Sequence, residues 1–267
     1  MGLKDALKGR LTEKELGLFR GGFDTVGDIA ILEIDESLKK KEKFIANKLL
    51  ETNKHIKTIL KEEGAIEGRF RLQKYKYLAG EKKTETIHKE SNVAVKLDLR
   101  KAYFSPRLSH ERLRISKLIK KNEDVLVMFS GVGIYPLVFS KNSKAKEIYG
   151  VEINKDACRY ADENLKLNKI KNVKLFCGDA RKVLLKKKFD RIVMPLPFEA
   201  DTFLDLAKKL VKKNGIIHLY LFFKDDEFDK LKDVIKKYIK NFKILRIVKC
   251  GSYAARMSRI CVDVKVL

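Results

Sequence analysis

The chain has 267 residues and a mass of 30.9 kDa, enough for one medium domain with a smaller one attached, and its 45% hydrophobic residues supply a sizeable core. No run approaches the roughly 18 uninterrupted apolar residues of a membrane span, and the opening MGLKDALKGRL lacks the apolar core of a secretory leader, so the expected compartment is cytoplasmic, with no membrane partner. Sixty Lys plus Arg against 36 Asp plus Glu leave a net charge of +24, spread along the chain rather than held in a tail, which makes nucleic acid the default partner unless lysine richness is merely a habit of the source proteome.

In chain order, residues 1–20 read as a short amphipathic helix, closed by a break at Gly21-Gly22. An apolar strand is expected over Gly27–Ile34 and a long lysine-faced helix over Leu38–Glu63, with Gly64 as its C-terminal stop. Ala65–Gly80 alternates as a strand, and Thr84–Leu99 gives two more. Residues 21–108 thus form a small α+β domain. In it Phe70, Tyr75 and Tyr77 interleave with Arg69, Arg71, Lys74 and Lys76, a mixture that suits RNA contact as well as it suits an ordinary half-solvated sheet.

Over residues 109–267 the pattern becomes regular. Helices at 111–120, 134–141, 155–168, 200–213 and 226–240 alternate with strands at 124–129, 147–153, 172–176, 189–194 and 215–223. Two strands at 242–249 and 259–266 close the chain without an intervening helix. The expectation is an α/β fold: a doubly wound parallel sheet ending in an antiparallel hairpin. The four cysteines, Cys158, Cys177, Cys250 and Cys261, show no CxxC spacing, which argues against zinc and against a disulfide framework. The four histidines have no metal-like spacing either, and no metal is assigned.

Ligands of such sheets bind at the carboxyl ends of the strands. The first strand ends in Ser130-Gly131-Val132-Gly133, where glycine lets a ligand approach the backbone. Glu152-Ile153 closes the second strand, and its acid suits the two hydroxyls of a ribose, although a helix-capping acid would look the same. Asp179, in CGDAR, closes the third and suits an adenine amine, with Ala180 beside it. Pro195 and Pro197 stiffen the loop after the fourth. A lone G-x-G followed by acid-ended strands favours S-adenosylmethionine over a dinucleotide.

The runs AYFSPRLSHERLRI (from Ala102), MFSGVG, YGVEIN, ENLKLNKIKNV and GDAR resemble the archaeal and eukaryotic tRNA (guanine-37-N1) methyltransferases. FDTVGDIAILEI, GEKKTETIHKE and SYAARMSRICVDVKV extend that resemblance from about Phe23 to Leu267. It implies methyl transfer from S-adenosylmethionine to N1 of guanosine 37, beside the anticodon of tRNA, by a monomeric enzyme. Guanine N1 must lose a proton before it attacks, so a carboxylate base and a cation near O6 are needed. Carried over, Asp179 is the base and Arg107 the cation, with a phosphate contact as the lesser alternative for Arg107. Tyr103, Phe104, Met128, Phe129, Gly131, Gly133, Glu152, Ile153 and Ala180 would line the cofactor, and Pro195 and Pro197 the reacting base.

Three departures stand out. Val127 replaces the family's usual first-strand Asp, and Pro195-Leu196-Pro197 replaces Asn-Leu-Pro, removing an amide that would grip the target base. The latter resembles the archaeal subgroup that also methylates C7 of imG-14 in wyosine synthesis. The family's N-terminal domain is reduced to about twenty residues, so a full check of the tRNA elbow is not expected. Two further readings remain: a methyltransferase of another RNA base, and a catalytically idle RNA-binding protein of the same fold.

Overall fold

The computed structural model describes every residue except Met1, Gly2, Arg20, Leu184 and Pro197, and every side chain among the rest except those of residues 65–67. The chain divides into two compact units, one made of Met1–Lys89 and Ala94–Pro106, the other of Glu90–Val93 and Arg107–Leu267.

In the first unit, α1 (Leu3–Leu7) and α2 (Glu13–Leu18) replace the one helix expected over 1–20. Thr12 starts α2 through a capping box with Glu15. Leu3, Leu7, Leu11, Leu16 and Phe19 are buried in a shared cluster with Ile45, Ala46 and Leu49, so this segment is part of the unit's core. β1 (Phe23–Val26) and β2 (Ile29–Leu32) form a tight hairpin where a single strand was expected. The long helix over 38–63 is corrected as well. After a 3-10 turn at Glu36–Lys41, α3 covers only Glu42–Thr52, and β3 (Thr58–Glu67) follows. Thr52 and Asn53 turn their side chains back onto the carbonyl of Leu49, closing the helix. The following Thr58-Ile59-Leu60 run then pairs in parallel with β2, where it is buried. Tertiary pairing of a β-branched run has overridden a weak helical period. Gly64 sits inside β3 with φ of +70°, where the register with β4 (Leu72–Gly80) shifts, so it marks a bulge rather than a helix end. β5 (Glu85–Glu90) and β6 (Val93–Asp98) pair across Ser91-Asn92, both at positive φ as a two-residue hairpin turn demands.

The second unit opens with a 3-10 turn at Pro106–Leu108 and α4 (Ser109–Leu118). There follow β7 (Asp124–Met128), α5 (Ile134–Asn142), β8 (Glu147–Glu152), α6 (Lys155–Leu167), β9 (Val173–Cys177) and β10 (Phe189–Met194). α7 (Leu204–Leu210), β11 (Val211–Lys224), α8 (Leu231–Lys236), β12 (Phe242–Ala254) and β13 (Met257–Val266) complete it. The seven strands lie in the order β12-β13-β11-β10-β7-β8-β9. The first five in sequence are parallel, and β13 runs antiparallel to both β11 and β12. This is the doubly wound sheet with a terminal hairpin that the alternating pattern predicts. α7 ends earlier than expected because Val211 is already extended and paired with Phe189, and α8 is confined to Leu231–Lys236 after a 3-10 turn at Phe228–Lys230.

The sheet's two faces differ. Leu126, Met128, Ile192, Met194, Ile217, Leu219, Ile260, Val262 and Val264 point to one side, where Ala207, Leu231 and Ile235 of α7 and α8 cover them. Their alternate neighbours Arg191, His218, Tyr220 and Asp263 serve the other side, where α4 supplies Glu111 and Arg114 as partners. Strand alternation therefore separates an oily layer from a buried polar one.

Candidate functional site

The turn after β7 is held in a conformation that glycine makes possible. Phe129, Gly131 and Gly133 all have φ between +56° and +83°. The Ser130 amide donates to the Val151 carbonyl at 2.9 Å, and the Gly133 amide donates to the Ser130 carbonyl at 3.0 Å. A Cβ on Gly133 would stand 3.2 Å from the Ala161 methyl, so its absence lets α5 begin directly against α6.

Glu152 is gripped by backbone on both oxygens. Its Oε2 accepts from the Gly131 amide at 2.7 Å, and its Oε1 accepts from the amides of Ile153 at 2.9 Å and Asn154 at 2.8 Å. The helix-capping reading of Glu152 falls away, because Asn154 caps α6 by accepting from Asp156 and Ala157. Glu152 instead joins the second strand to the glycine turn of the first. Oε2 carries one donor and retains capacity for a second, such as a sugar hydroxyl. These residues fit the ribose of a nucleoside cofactor: a half-exposed carboxylate, fixed in direction, beside a turn with little side chain.

Asp179 is half-exposed and accepts from the Arg181 amide at 2.9 Å. The Arg181 side chain forms a two-pronged pair with Asp205 at 3.0 and 3.2 Å, donates to the Thr202 carbonyl at 2.6 Å, and covers the Phe203 ring at 4.6 Å. That pairing with Arg181 holds the Asp205 carboxyl below its ordinary range. Phe203 in turn meets Phe129 edge-on at 4.9 Å, so the GDAR arginine props the first turn from behind. Ala180, Pro195 and Leu196 are half-buried, and Pro197 lies outside the described residues.

Phe129, Gly131, Gly133, Glu152, Ile153, Asp179, Ala180 and Pro195 all stand at the carboxyl ends of β7, β8, β9 and β10 or in the turns leaving them. Asp179 and Pro195 are at opposite limits of that row. Three strand spacings separate β9 from β10, about 14 Å at the backbone. The Met128 side chain is 1% exposed and belongs to the oily layer, so only its backbone borders the edge. Val127 is fully buried. Tyr103 and Phe104 belong to the first unit, where the Arg71 guanidinium lies 5.8 Å from the Tyr103 ring and Phe104 meets His88 edge-on. Arg107 is exposed, on the 3-10 turn that opens the second unit. In the first unit's basic-aromatic sheet Tyr75 is buried, Tyr77 donates to the Gly80 carbonyl, and Phe70 stays exposed at the turn.

Three features escaped the sequence reading. Asn164 is fully buried and donates to the Val132 carbonyl at 3.1 Å, bracing the glycine turn. Its signal was a polar residue at the fourth place of the stripe Ala157, Tyr160, Ala161, Asn164, which otherwise reads as apolar. Cys158 and Cys177 form a disulfide, Cα–Cα 5.8 Å, that ties α6 to the end of β9, where the lack of a spacing motif argued against disulfides. The partners are 19 residues apart across a helix-to-strand crossover, a spacing with no motif. His218, Cys261 and Asp263 cluster on the polar face, the one group of metal-ligating type among the described residues. Arg191 lies 2.6 Å from His218 Nε2, Asp263 2.6 Å from Nδ1, and Arg114 2.8 Å from Asp263. Burial lowers the His218 pKa, so the ring is neutral, accepting from Arg191 and donating to Asp263. Two guanidiniums occupy the places a cation would need, and the cluster reads as a structural ion-pair network.

Residues 86–248 match the TRM5/TYW2 methyltransferase domain, and residues 3–84 match the TYW2 N-terminal domain. The tRNA (guanine(37)-N(1))-methyltransferase Trm5b of Pyrococcus abyssi is 37% identical over 249 residues, which cover 91% of this chain and 74% of that protein. The tRNA (guanine(37)-N(1))/4-demethylwyosine(37)-methyltransferase Taw22 of Nanoarchaeum equitans is 34% identical, covering 80% of this chain and 88% of the relative. Among solved structures, that of aTrm5 in complex with tRNALeu superposes with a TM-score of 0.91 at 32% identity, over 100% of this chain and 78% of that one. With the acid-ended strands, the glycine turn and the strand order all in place, the chain belongs to the TRM5/TYW2 methyltransferase family.

Proposed function

We propose that this protein transfers the methyl group of S-adenosylmethionine to N1 of guanosine 37 in tRNA, and to imG-14 (4-demethylwyosine) at the same position. The observation that carries the reading is Glu152, held by three backbone amides at the sheet's carboxyl edge in a chain of this family. When bound, S-adenosylmethionine supplies a methyl group on a sulfonium, electrophilic without help from a metal. Glu152 receives the ribose hydroxyls, and the Gly131–Gly133 turn leaves room beside them. Asp179 lies in the turn after β9, three strands along the edge from β10 and its Pro195 loop, a placement that supports a contact with the adenine end more than the base role. Arg107 stabilises negative charge on guanine O6 as the N1 proton passes to solvent water.

Pro195 has no N–H and no side-chain amide, so the loop after β10 recognises the reacting base by shape. A pocket of that kind tolerates the tricyclic base as well as guanine, consistent with the two-substrate name of the Nanoarchaeum relative. The enzyme works as a monomer on tRNA in the cytoplasm, and its +24 charge speeds the encounter. A second reading, aminocarboxypropyl transfer from the same cofactor, is favoured by the match of residues 3–84 to the TYW2 N-terminal domain.

The deciding experiment gives the enzyme tRNA(Phe) carrying guanosine, adenosine or imG-14 at position 37. S-adenosylmethionine is labelled either in the methyl or in the carboxyl carbon, and the modified nucleoside is identified after digestion. Methyl label on guanosine and imG-14 but not adenosine is the expected outcome. Carboxyl label in the product would make the protein an aminocarboxypropyl transferase. Label nowhere would leave an RNA-binding protein without this chemistry.

A further inference from the structure

Three aromatic rings gather just beyond the carboxyl edge of the sheet, and nothing in the proposed chemistry uses them. Phe198 follows Pro195 by three residues, so the chain between them spans at most about 11 Å. Phe222 lies on β11 three residues past Leu219, the partner of Met194 at the end of β10, so it overshoots that edge. Tyr253 is the penultimate residue of β12. The ring centres of Phe198 and Phe222 are 4.5 Å apart, those of Phe198 and Tyr253 5.4 Å, and those of Phe222 and Tyr253 4.0 Å with the planes only 32° apart. Arg259, the cross-strand partner of Phe222, holds its guanidinium 5.3 Å from the Phe222 ring.

Such a group is not a piece of core. Tyr253 is 51% exposed and Phe198 37%, although the oily layer lies in the same unit. Clustered rings left in water, beside a cation and continuous with the loop over the reacting base, match the way single-stranded RNA is held: bases stack on aromatic faces while cations meet the phosphates. A second copy of the chain is a poor occupant, since each copy carries +24.

We propose that Phe198, Phe222 and Tyr253 form a stacking platform for the nucleobase next to the methylated one in the anticodon loop, with Arg259 placed for its phosphate. The proposal rests on the RNA reading above and adds a second base subsite to it. Stacking is tolerant of base identity, so the platform positions the loop without selecting its sequence.

The test uses the full-length protein and an anticodon stem-loop RNA bearing 2-aminopurine on the 5′ or the 3′ side of the target guanosine. Wild type is expected to quench one of the two labels. Tyr253→Ala should restore that fluorescence and weaken RNA binding about tenfold, within the range of one lost stacked base. Tyr253→Phe should keep both properties, and Phe198→Ala should act in the direction of Tyr253→Ala. S-adenosylmethionine affinity, measured by calorimetry, should stay at the wild-type value in every variant, which confirms an intact fold. If wild type methylates the RNA but quenches neither label, or if both alanine variants bind RNA as wild type does, with or without a changed oligomeric state, the platform is overturned. If wild type neither binds nor methylates RNA, the functional reading fails and the platform fails with it.

Discussion

Glu152→Gln is the sharpest probe of the cofactor site, because the change is isosteric and the structure states what it disrupts. The amide oxygen of Gln can take the Oε1 place and keep the Ile153 and Asn154 donors at 2.9 and 2.8 Å. Its NH2 group then faces the Gly131 amide, which donates to Oε2 at 2.7 Å in the wild type. One charge-assisted bond is lost, about 1.5–3 kcal/mol, and the two that remain weaken because their acceptor is now neutral. Because Gly131 has no side chain to compensate, the loss falls on the turn that the cofactor must meet. S-adenosylmethionine affinity should fall about 10- to 150-fold, at about 1.4 kcal/mol for each factor of ten. Whatever share of that loss falls on the fold instead lowers the melting temperature by about 2–4 °C per kcal/mol. Calorimetric titration with S-adenosylmethionine and a thermal melt of the apo-protein read the two effects separately. A dissociation constant within threefold of wild type would show that Glu152 is not the ribose anchor.

Asp179→Asn should weaken S-adenosylmethionine binding about tenfold, the scale of one hydrogen bond made by a charged acceptor; unchanged cofactor affinity with a hundredfold loss of single-turnover rate would restore Asp179 to the base role. Arg107→Ala should lower the rate at saturating tRNA more than it lowers tRNA affinity, whereas the opposite split would make Arg107 a phosphate clamp. Burial keeps His218 neutral and its pKa below 6.5, so acid must charge it on unfolding. Stability should therefore be full above pH about 6.5 and decline as the pH falls below it, by at most about 1.4 kcal/mol per pH unit. His218→Gln should flatten urea-unfolding profiles between pH 6.5 and 5, and a flat wild-type profile would refute the network. Asp263 adds to the acid loss at lower pH: burial alone would raise its carboxyl, but His218 and Arg114 hold it low. Opening the Cys158–Cys177 disulfide, which spans 19 residues, should cost about 3 kcal/mol, read as a lower melting temperature in dithiothreitol; an unchanged melt would mean that the bond does not form in solution.

The second unit was legible in the chain because its period was unambiguous. Alternating apolar runs and amphipathic stretches from Ser109 onward admit few folds, since a parallel strand needs a crossover and a crossover helix needs a sheet to cover. The acids that close β8 and β9 were visible for the same reason, once the strand ends were placed. The first unit misled at 38–63, where lysine-rich composition imitates a helix and only pairing of Thr58–Lys61 with β2 decides for strand. Asn164 and the Cys158–Cys177 pair lay beyond reach because their partners are distant in sequence and near only across packed elements. In the second unit the sequence by itself determined the order of strands and helices and the acid-ended edge, and over the whole chain the surplus of positive charge. Tertiary structure alone decided which atoms grip Glu152, which face of the sheet is polar, and which aromatic rings meet beyond its edge. Local periodicity records what a residue is next to along the chain, whereas those three facts depend on contacts between strands that no local pattern encodes.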